Sequence, residues 1–332
     1  MQQSSMNLDN VLSPYINQVD TNLKKFLNRQ KPEELYEAVR HLPNAGGKRL
    51  RPIVAILSAQ TVGGDLNEVM PYATALELLH TYTLIHDDIL DDDSKRRGEE
   101  SVHKKYGDTV ALLAGDALHS LTFEALGSLD VDPTLFREIV LDMSKLSTEI
   151  TEGQYHDMNF EKMRKIDEMD YYHMIERKTA TLFEMAAKNG ARIAGADPKQ
   201  VKKLSEAGRL MGLAFQVWDD YLDVSGDEEQ FGKQVFADIV RGKKTLVIVH
   251  AYKELDPFDR RKLHDAIKKG DGSKENVEEI MGYLKKSGAI DWTRDRAKEF
   301  SSHARTCLTA LPENSARNLL MEICQFVAER EH

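Results

Sequence analysis

The sequence predicts an all-α protein, and three features predict it. Apolar residues recur at spacings of three and four, β-branched alternating runs are few, and only nine prolines interrupt 332 residues. The first twenty residues are polar and read as an N-terminal extension or a first helix. Leu66, Val69, Met70, Ala73, Leu76, Leu79 and His80 form one stripe at helical spacing, and Leu210, Met211, Ala214, Phe215, Trp218 and Leu222 form another. Both stripes run into clusters of aspartates. The run 245–250 has strand propensity, but in a helical chain a buried helix is the expected form. Polar breaks containing glycine fall near 92–108, 225–244 and 270–274, and none is a long linker. A single helical domain over residues 1–332 is therefore expected, with its core motifs within 44–250.

Composition narrows the function classes. With 41% hydrophobic and 30% charged residues the chain has an ordinary soluble make-up, and no apolar run approaches the roughly 18 residues of a membrane span. A formal charge of −10 argues against nucleic-acid binding. An acidic chain still binds polyanions when divalent cations lie between them, because a bound metal reverses the local sign of charge. The two cysteines, Cys307 and Cys324, have no metal-ligand spacing, so neither a disulfide framework nor a zinc site is expected. The opening MQQSSMNLDN lacks the features of a secretory or transit segment, and a cytoplasmic protein is expected.

In Asp87-Asp88-Ile89-Leu90-Asp91 the outer carboxylates are four residues apart, which stacks them on one helix face. Asp219-Asp220-Tyr221-Leu222-Asp223 repeats the spacing 132 residues later. Like charges so placed repel unless a cation neutralises them. All-oxygen ligands, few per cluster, suit Mg²⁺, which keeps waters and completes its octahedron with substrate phosphates. A Ca²⁺ loop beginning at Asp91 fails, since Arg96 stands where glycine is needed and Val102 where glutamate is needed. A solvated helix end explains one such cluster equally well; two copies, each following an apolar stripe, favour metal.

Basic groups accompany the acids. Gly46-Gly47-Lys48-Arg49-Leu50-Arg51-Pro52 offers backbone amides and three cations as a diphosphate cradle, without the spacing of a P-loop. Arg96-Arg97, Lys233 and Lys243-Lys244 are further candidates, each by itself equally an ordinary surface group. His80 lies seven residues before Asp87, two turns along the same face, so spacing alone aims it at the acidic cluster.

Taken in order, GGKRLRP, LHTYTLIHDDILDDDSKRRG, ERKTATLF, FQVWDDYLD and FGKQVFADIVRGKKT resemble the trans-isoprenyl diphosphate synthases, the polyprenyl synthetase family, from about residue 40 to 250. The resemblance implies a helical bundle around a central cleft, across which two Asp-rich motifs bind Mg²⁺, with three ions once substrate is bound. It makes Asp87, Asp91 and Asp219 the principal metal ligands and Asp88 and Asp223 supporting ones. It places isopentenyl diphosphate on Gly47, Lys48, Arg51, His80 and Arg97. The allylic diphosphate (dimethylallyl, geranyl or farnesyl) falls to the metals with Arg96, Lys178, Lys233 and Lys243.

Lys178, through its carbonyl, Thr179 and Gln216 are the implied stabilisers of the allylic cation, although each reads equally well as a polar group satisfied inside a buried helix. The segment 225–244 is the expected cover that keeps water from that cation. The resemblance also implies a homodimer.

Product length is read from the residues ahead of the first motif. Tyr82 and Thr83, the fifth and fourth residues upstream of Asp87, are the implied floor of the chain-length tunnel, in a pattern similar to archaeal geranylgeranyl diphosphate synthases. Helical geometry alone puts Thr83 about 40° and Tyr82 about 140° from Asp87, so the Tyr82 assignment rests on the resemblance. A C20 product is expected, with C15 and C25 as alternatives. Rival readings are a non-catalytic subunit of a heteromeric synthase, disfavoured because both Asp motifs are intact, and a terpene cyclase, disfavoured by GGKRLRP and Arg97. A helical binding protein without chemistry is the third. Residues 251–332 offer no candidate site residue, and the charges of 274–286 read as a solvated face.

Overall fold

The computed structural model describes residues 2–163, 165–225, 237–270 and 272–330, with side chains described from residue 8 onward except at 237. Its helices are α1 (Gln2–Phe26), α2 (Glu33–Asn44), α3 (Leu50–Thr61), α4 (Leu66–Leu90), α5 (Val102–Tyr106), α6 (Asp108–Leu126), α7 (Pro133–Lys162) and α8 (Glu168–Ile175). A π-helical turn, Glu176–Ala180, joins α8 to α9 (Thr181–Ile193). There follow α10 (Pro198–Ser225), α11 (Ala237–Val240), α12 (Leu246–Glu254), α13 (Pro257–Lys269), α14 (Lys274–Ser287), α15 (Ala289–Thr309) and α16 (Ser315–Phe326). The all-α expectation holds. Among the described residues the strands are confined to a short antiparallel hairpin, β1 (Lys95–Arg96) and β2 (Glu99–Glu100). The N-terminal stretch is a helix, and residues 246–254 are helical as expected, with 246–251 buried.

Contacts divide the chain into two compact units. The first comprises Met1–Ser147, Met185–Ser205 and Leu308–Leu320, the second Thr148–Glu184, Glu206–Cys307 and Met321–His332.

In the first unit α4 is the central helix. Asp65 caps it, its side chain accepting a hydrogen bond from the Asn67 amide at 2.7 Å. The sequence suggested a single apolar stripe, but every residue from Val69 to Leu79 except Pro71 is buried, because α4 packs on α3 and α6 and also meets α1. Covered on several sides, the helix has room for apolar residues all round. Solvent reaches it again toward its C-terminal end, where Asp87 is half-buried and Leu90 exposed.

In the second unit α10 carries the second apolar stripe, with Leu210, Met211, Ala214 and Trp218 buried and Phe215 and Leu222 half-buried. A separate apolar cluster joins Val247, Ile248 and Ala251 of α12 to Leu263 and Ala266 of α13, Ile280 and Leu284 of α14 and Ala289 of α15. The π turn is held by two close approaches. A Cβ at Gly153 of α7 would lie 2.4 Å from the Lys178 amide nitrogen, and one at Gly212 of α10 would lie 2.5 Å from Ala180 Cα. Only glycine lets backbones come that near, so Lys178 and Thr179 sit in a locally widened turn with flanking helices pressed against it.

Candidate active site

The candidate residues fall into two groups, one in each unit. The first is built on the end of α4, the loop ahead of α3 and the hairpin. In the hairpin Lys95 pairs with Glu100 and Arg96 with Glu99, leaving Arg97 and Gly98 as a two-residue turn with φ of 54° and 82°. Positive φ at both positions is the twist-compatible hairpin turn. It sends successive arginines to different partners. The Arg96 guanidinium donates to Asp88 Oδ1 at 2.8 and 2.5 Å and to Asp93 at 3.2 Å. That of Arg97 donates to the carbonyls of Gly46 at 2.5 Å and Leu42 at 3.3 Å.

Asp88 is thus buried and engaged by Arg96, while Asp87 and Asp91 are half-buried. Burial raises the Asp88 pKa above the ordinary carboxylate range, and the Arg96 hydrogen bond only partly offsets it. Gly47 lies against the Arg97 side chain, since a Cβ there would sit 3.0 Å from the guanidinium carbon. Arg51 donates to His80 Nε2 at 2.9 Å, with the neutral imidazole accepting. Burial, and then Arg51, Arg97, Arg96 and Arg49, hold the His80 pKa well below its usual value. Gly47, Arg51, His80 and Arg97 therefore share one basic neighbourhood, with Lys48 exposed on its loop.

The three-cation cradle needs one correction. Arg49 is 3% exposed and turned inward, bonded to Asp20 at 2.8 Å, Glu77 at 2.6 Å and the Pro43 carbonyl at 2.7 Å. It braces the loop and leaves Lys48 and Arg51 as the remaining cations of the segment, Lys48 exposed and Arg51 against His80.

Tyr82 packs edge-on against His86, ring centroids 4.7 Å apart, and against His119 of α6 at 5.0 Å. Thr83 donates to the His80 carbonyl at 2.8 Å. Phe123 continues the aromatic row beyond His119 at 5.4 Å.

The second group surrounds a cavity of about 70 Å³ lined by Asp157, Lys178, Gln216, Asp220, Lys243 and Lys244, among others. Lys178, Gln216 and Lys243, singled out in sequence, thus line one cavity. Lys178 Nζ bonds Asp157 at 2.5 Å, Lys243 lies 3.7 Å from Asp238, and Thr179 donates to Gln216 Oε1 at 2.9 Å. Asp220 accepts from the Tyr171 hydroxyl at 2.6 Å, the Leu246 amide at 2.7 Å and Gln216 at 3.3 Å. Burial nevertheless pushes its pKa up to about 7. Burial and then Asp238 push Asp223 to about 7 as well. Asp219, half-buried on α10, is salt-bridged by Arg330, whose guanidinium also lies 4.1 Å over the Phe215 ring. Lys233, and the part of the expected cover at 226–236, lie outside the described residues.

The donor set fits a hard cation. Each acidic end presents several carboxylates, and the Oδ2 atoms of Asp88 and Asp223 are buried without a hydrogen-bond partner among the described residues. Among those residues no three His, Cys, Asp or Glu side chains converge as a complete cage. Such a cage is not what Mg²⁺ uses: one or two carboxylates suffice when waters and phosphates complete the shell.

Glu77, Asp157, Asp238 and Arg330 were not among the residues the sequence pointed to, and each is the ionic partner of a candidate residue or of its loop. Asp238 stood within the FADIVRGKKT stretch and could have been taken up as a partner of Lys243. Arg330 carried no local signal.

Comparison with known proteins supplies the class. The polyprenyl synthetase family model matches residues 32–284. Geranylgeranyl diphosphate synthase of Methanosarcina mazei is 40% identical over 314 residues, 95% of this chain and 95% of that one. Geranylfarnesyl diphosphate synthase of Natronomonas pharaonis is 36% identical over 319 residues, 91% of this chain and 92% of that one. Among solved structures, geranylgeranyl pyrophosphate synthetase from Pyrococcus horikoshii superposes with a TM-score of 0.94 at 40% identity, covering 98% of this chain and 99% of that one. Polyprenyl synthase from Caulobacter crescentus, solved complexed with calcium and isoprenyl diphosphate, gives 0.86 at 29% identity, covering 100% and 98%. The fold is that of the all-α isoprenyl diphosphate synthases, enzymes of prenyl transfer. The chain belongs to the polyprenyl synthetase family.

Proposed function

We propose that this chain is a Mg²⁺-dependent synthase, one domain from end to end, that condenses isopentenyl diphosphate with an allylic diphosphate to give geranylgeranyl diphosphate. The observation that carries the proposal is that each of two aspartate-rich helix ends has basic side chains close by, in a fold shared over nearly the whole chain with geranylgeranyl synthases. Asp87, Asp91 and Asp219 hold Mg²⁺, supported by Asp88 and Asp223, with three ions present once substrate is bound. When bound, the metal supplies charge that neutralises the leaving diphosphate.

The chain's own groups do the rest. Arg96, Lys178, Lys233 and Lys243 hold the allylic diphosphate, and Gly47, Lys48, Arg51, His80 and Arg97 hold isopentenyl diphosphate. The allylic C–O bond breaks, its electron pair leaving with pyrophosphate. The double bond of isopentenyl diphosphate then forms the new C–C bond, and a proton passes to the departing pyrophosphate. Gln216 and Thr179, locked together at 2.9 Å, and the Lys178 carbonyl stabilise the allylic cation through fixed dipoles. Arg96, Lys178 and Lys243 lie against carboxylates here, so an incoming diphosphate exchanges one anion for another rather than meeting bare charge. A homodimer working in the cytoplasm completes the proposal.

The test is incubation with isopentenyl diphosphate and each allylic primer, with and without Mg²⁺, followed by sizing of the dephosphorylated products. Mg²⁺-dependent pyrophosphate release and a C20 alcohol are expected. A C25 main product would move the chain to the geranylfarnesyl class, and no release with any primer would leave a non-catalytic subunit.

A further inference from the structure

We infer that Glu77, which no motif assignment touches, is the positioning residue of the first basic cluster, resting on the proposal that this cluster receives isopentenyl diphosphate. Glu77 is 1% exposed on α4, one turn before His80. Its Oε1 accepts from Arg49 at 2.6 Å and from Arg97 at 3.4 Å. These two arginines come from different segments, the loop ahead of α3 and the turn of the hairpin. Both stand in left-handed backbone, with φ of 47° and 54°, a conformation that persists in non-glycine residues only where the surroundings enforce it.

One carboxylate therefore ties the two strained corners together. Arg49 uses the tie to anchor its loop to α2, through the Pro43 carbonyl at 2.7 Å. Arg97 uses it to lie across the same loop, against Gly47 and the Gly46 carbonyl at 2.5 Å. Gly47, Lys48 and Arg51 then hold their places before any ligand arrives, which removes ordering cost from binding.

Charge leads to the same conclusion. Arg49, Arg51, Arg96 and Arg97 all act electrostatically on His80. Glu77 is the buried carboxylate paired with two of those four, and its loss would leave Arg49 and Arg97 to repel each other. Glu77 makes no step of the reaction; it sets where Arg97 and the loop stand.

Steady-state kinetics of Glu77→Gln test the inference. The expected result is a KM for isopentenyl diphosphate raised about tenfold or more, with the KM for the allylic diphosphate unchanged, as loss of preorganisation in one subsite requires. Should Glu77→Gln not fold, the double variant Arg49→Met/Glu77→Gln removes the buried charge imbalance while still releasing Arg97, and the same split is expected. An unchanged KM for isopentenyl diphosphate in a folded variant, a parallel rise in both KM values, or failure of both variants to fold overturns the inference. Arg51→Ala and Arg97→Ala separate the two levels. If they raise that KM while Glu77→Gln does not, the positioning role alone is lost; if they leave it unchanged, the assignment of the subsite falls and the inference with it.

Discussion

Four of the candidate basic groups lie against carboxylates: Arg96 by Asp88, Arg97 by Glu77, Lys178 by Asp157 and Lys243 by Asp238. His80 differs from them as a neutral acceptor among guanidinium groups, and it makes a pH prediction. Its folded pKa is held well below the usual 6.5 by burial and by the four arginines. In the unfolded chain it takes up a proton as pH falls through about 6.5, while in the folded chain it does not. The unfolded state then binds more protons, so stability is complete above that pH and declines below it. Between pH 7.5 and 5.5 the wild type should lose up to about 1.4 kcal/mol more than His80→Gln, measured by urea unfolding at both pH values. Equal losses would mean that the imidazole titrates normally.

Tyr82 makes a second prediction at this scale. Truncation in Tyr82→Ala removes a ring packed on His86 and His119, and the product should lengthen by at least one isoprene unit if Tyr82 forms the floor. An unchanged distribution on chromatographic sizing would place the floor elsewhere.

Among the elements, the π turn shows how backbone spacing sets where candidate residues stand. Residues 176–180 widen one turn, and Gly153 and Gly212 let α7 and α10 close on it. A methyl at Gly153 meets the Lys178 amide nitrogen at 2.4 Å and its Cα at 2.7 Å, both backbone atoms that cannot swing aside. Gly153→Ala should therefore cost about 1–3 kcal/mol of stability, the usual penalty of overpacking. It should also lower turnover, because Lys178 and Thr179 move with their backbone. Urea denaturation and kcat measured together check this, and an unaffected kcat would detach the turn from catalysis. Helix α4 works differently: its buried length fixes where its last turn stands, and that turn carries Asp87, with Asp91 as its C-cap.

For the whole molecule, no helix among the described residues is long and apolar enough to cross a membrane. The late helices, which showed no site residue in sequence, pack closely around buried groups. Cys324 is 0% exposed, its carbonyl accepts from Ser301 at 2.6 Å, and burial pushes its thiol pKa up to about 12. It should resist maleimide in native buffer and react only at the rate of global unfolding, as followed by mass spectrometry across a urea series. Rapid native labelling at Cys324 would show that the C-terminal helices open on their own.

The sequence by itself determined the helical class, the two acidic helix ends and the ordered motifs that mark the family, because each is written in residues a few positions apart. Periodicity and i, i+4 spacing are local properties, and a helix reports them wherever it packs. Tertiary structure alone decided which charge answers which. Glu77 reaches Arg49 across 28 positions, Asp157 reaches Lys178 across 21 and Arg330 reaches Asp219 across 111. It also turned Arg49 inward, onto Asp20, Glu77 and the Pro43 carbonyl, while Lys48 beside it stays exposed. Ion pairing depends on where side chains end up in space, and that separation follows from how helices pack rather than from the order of residues along them.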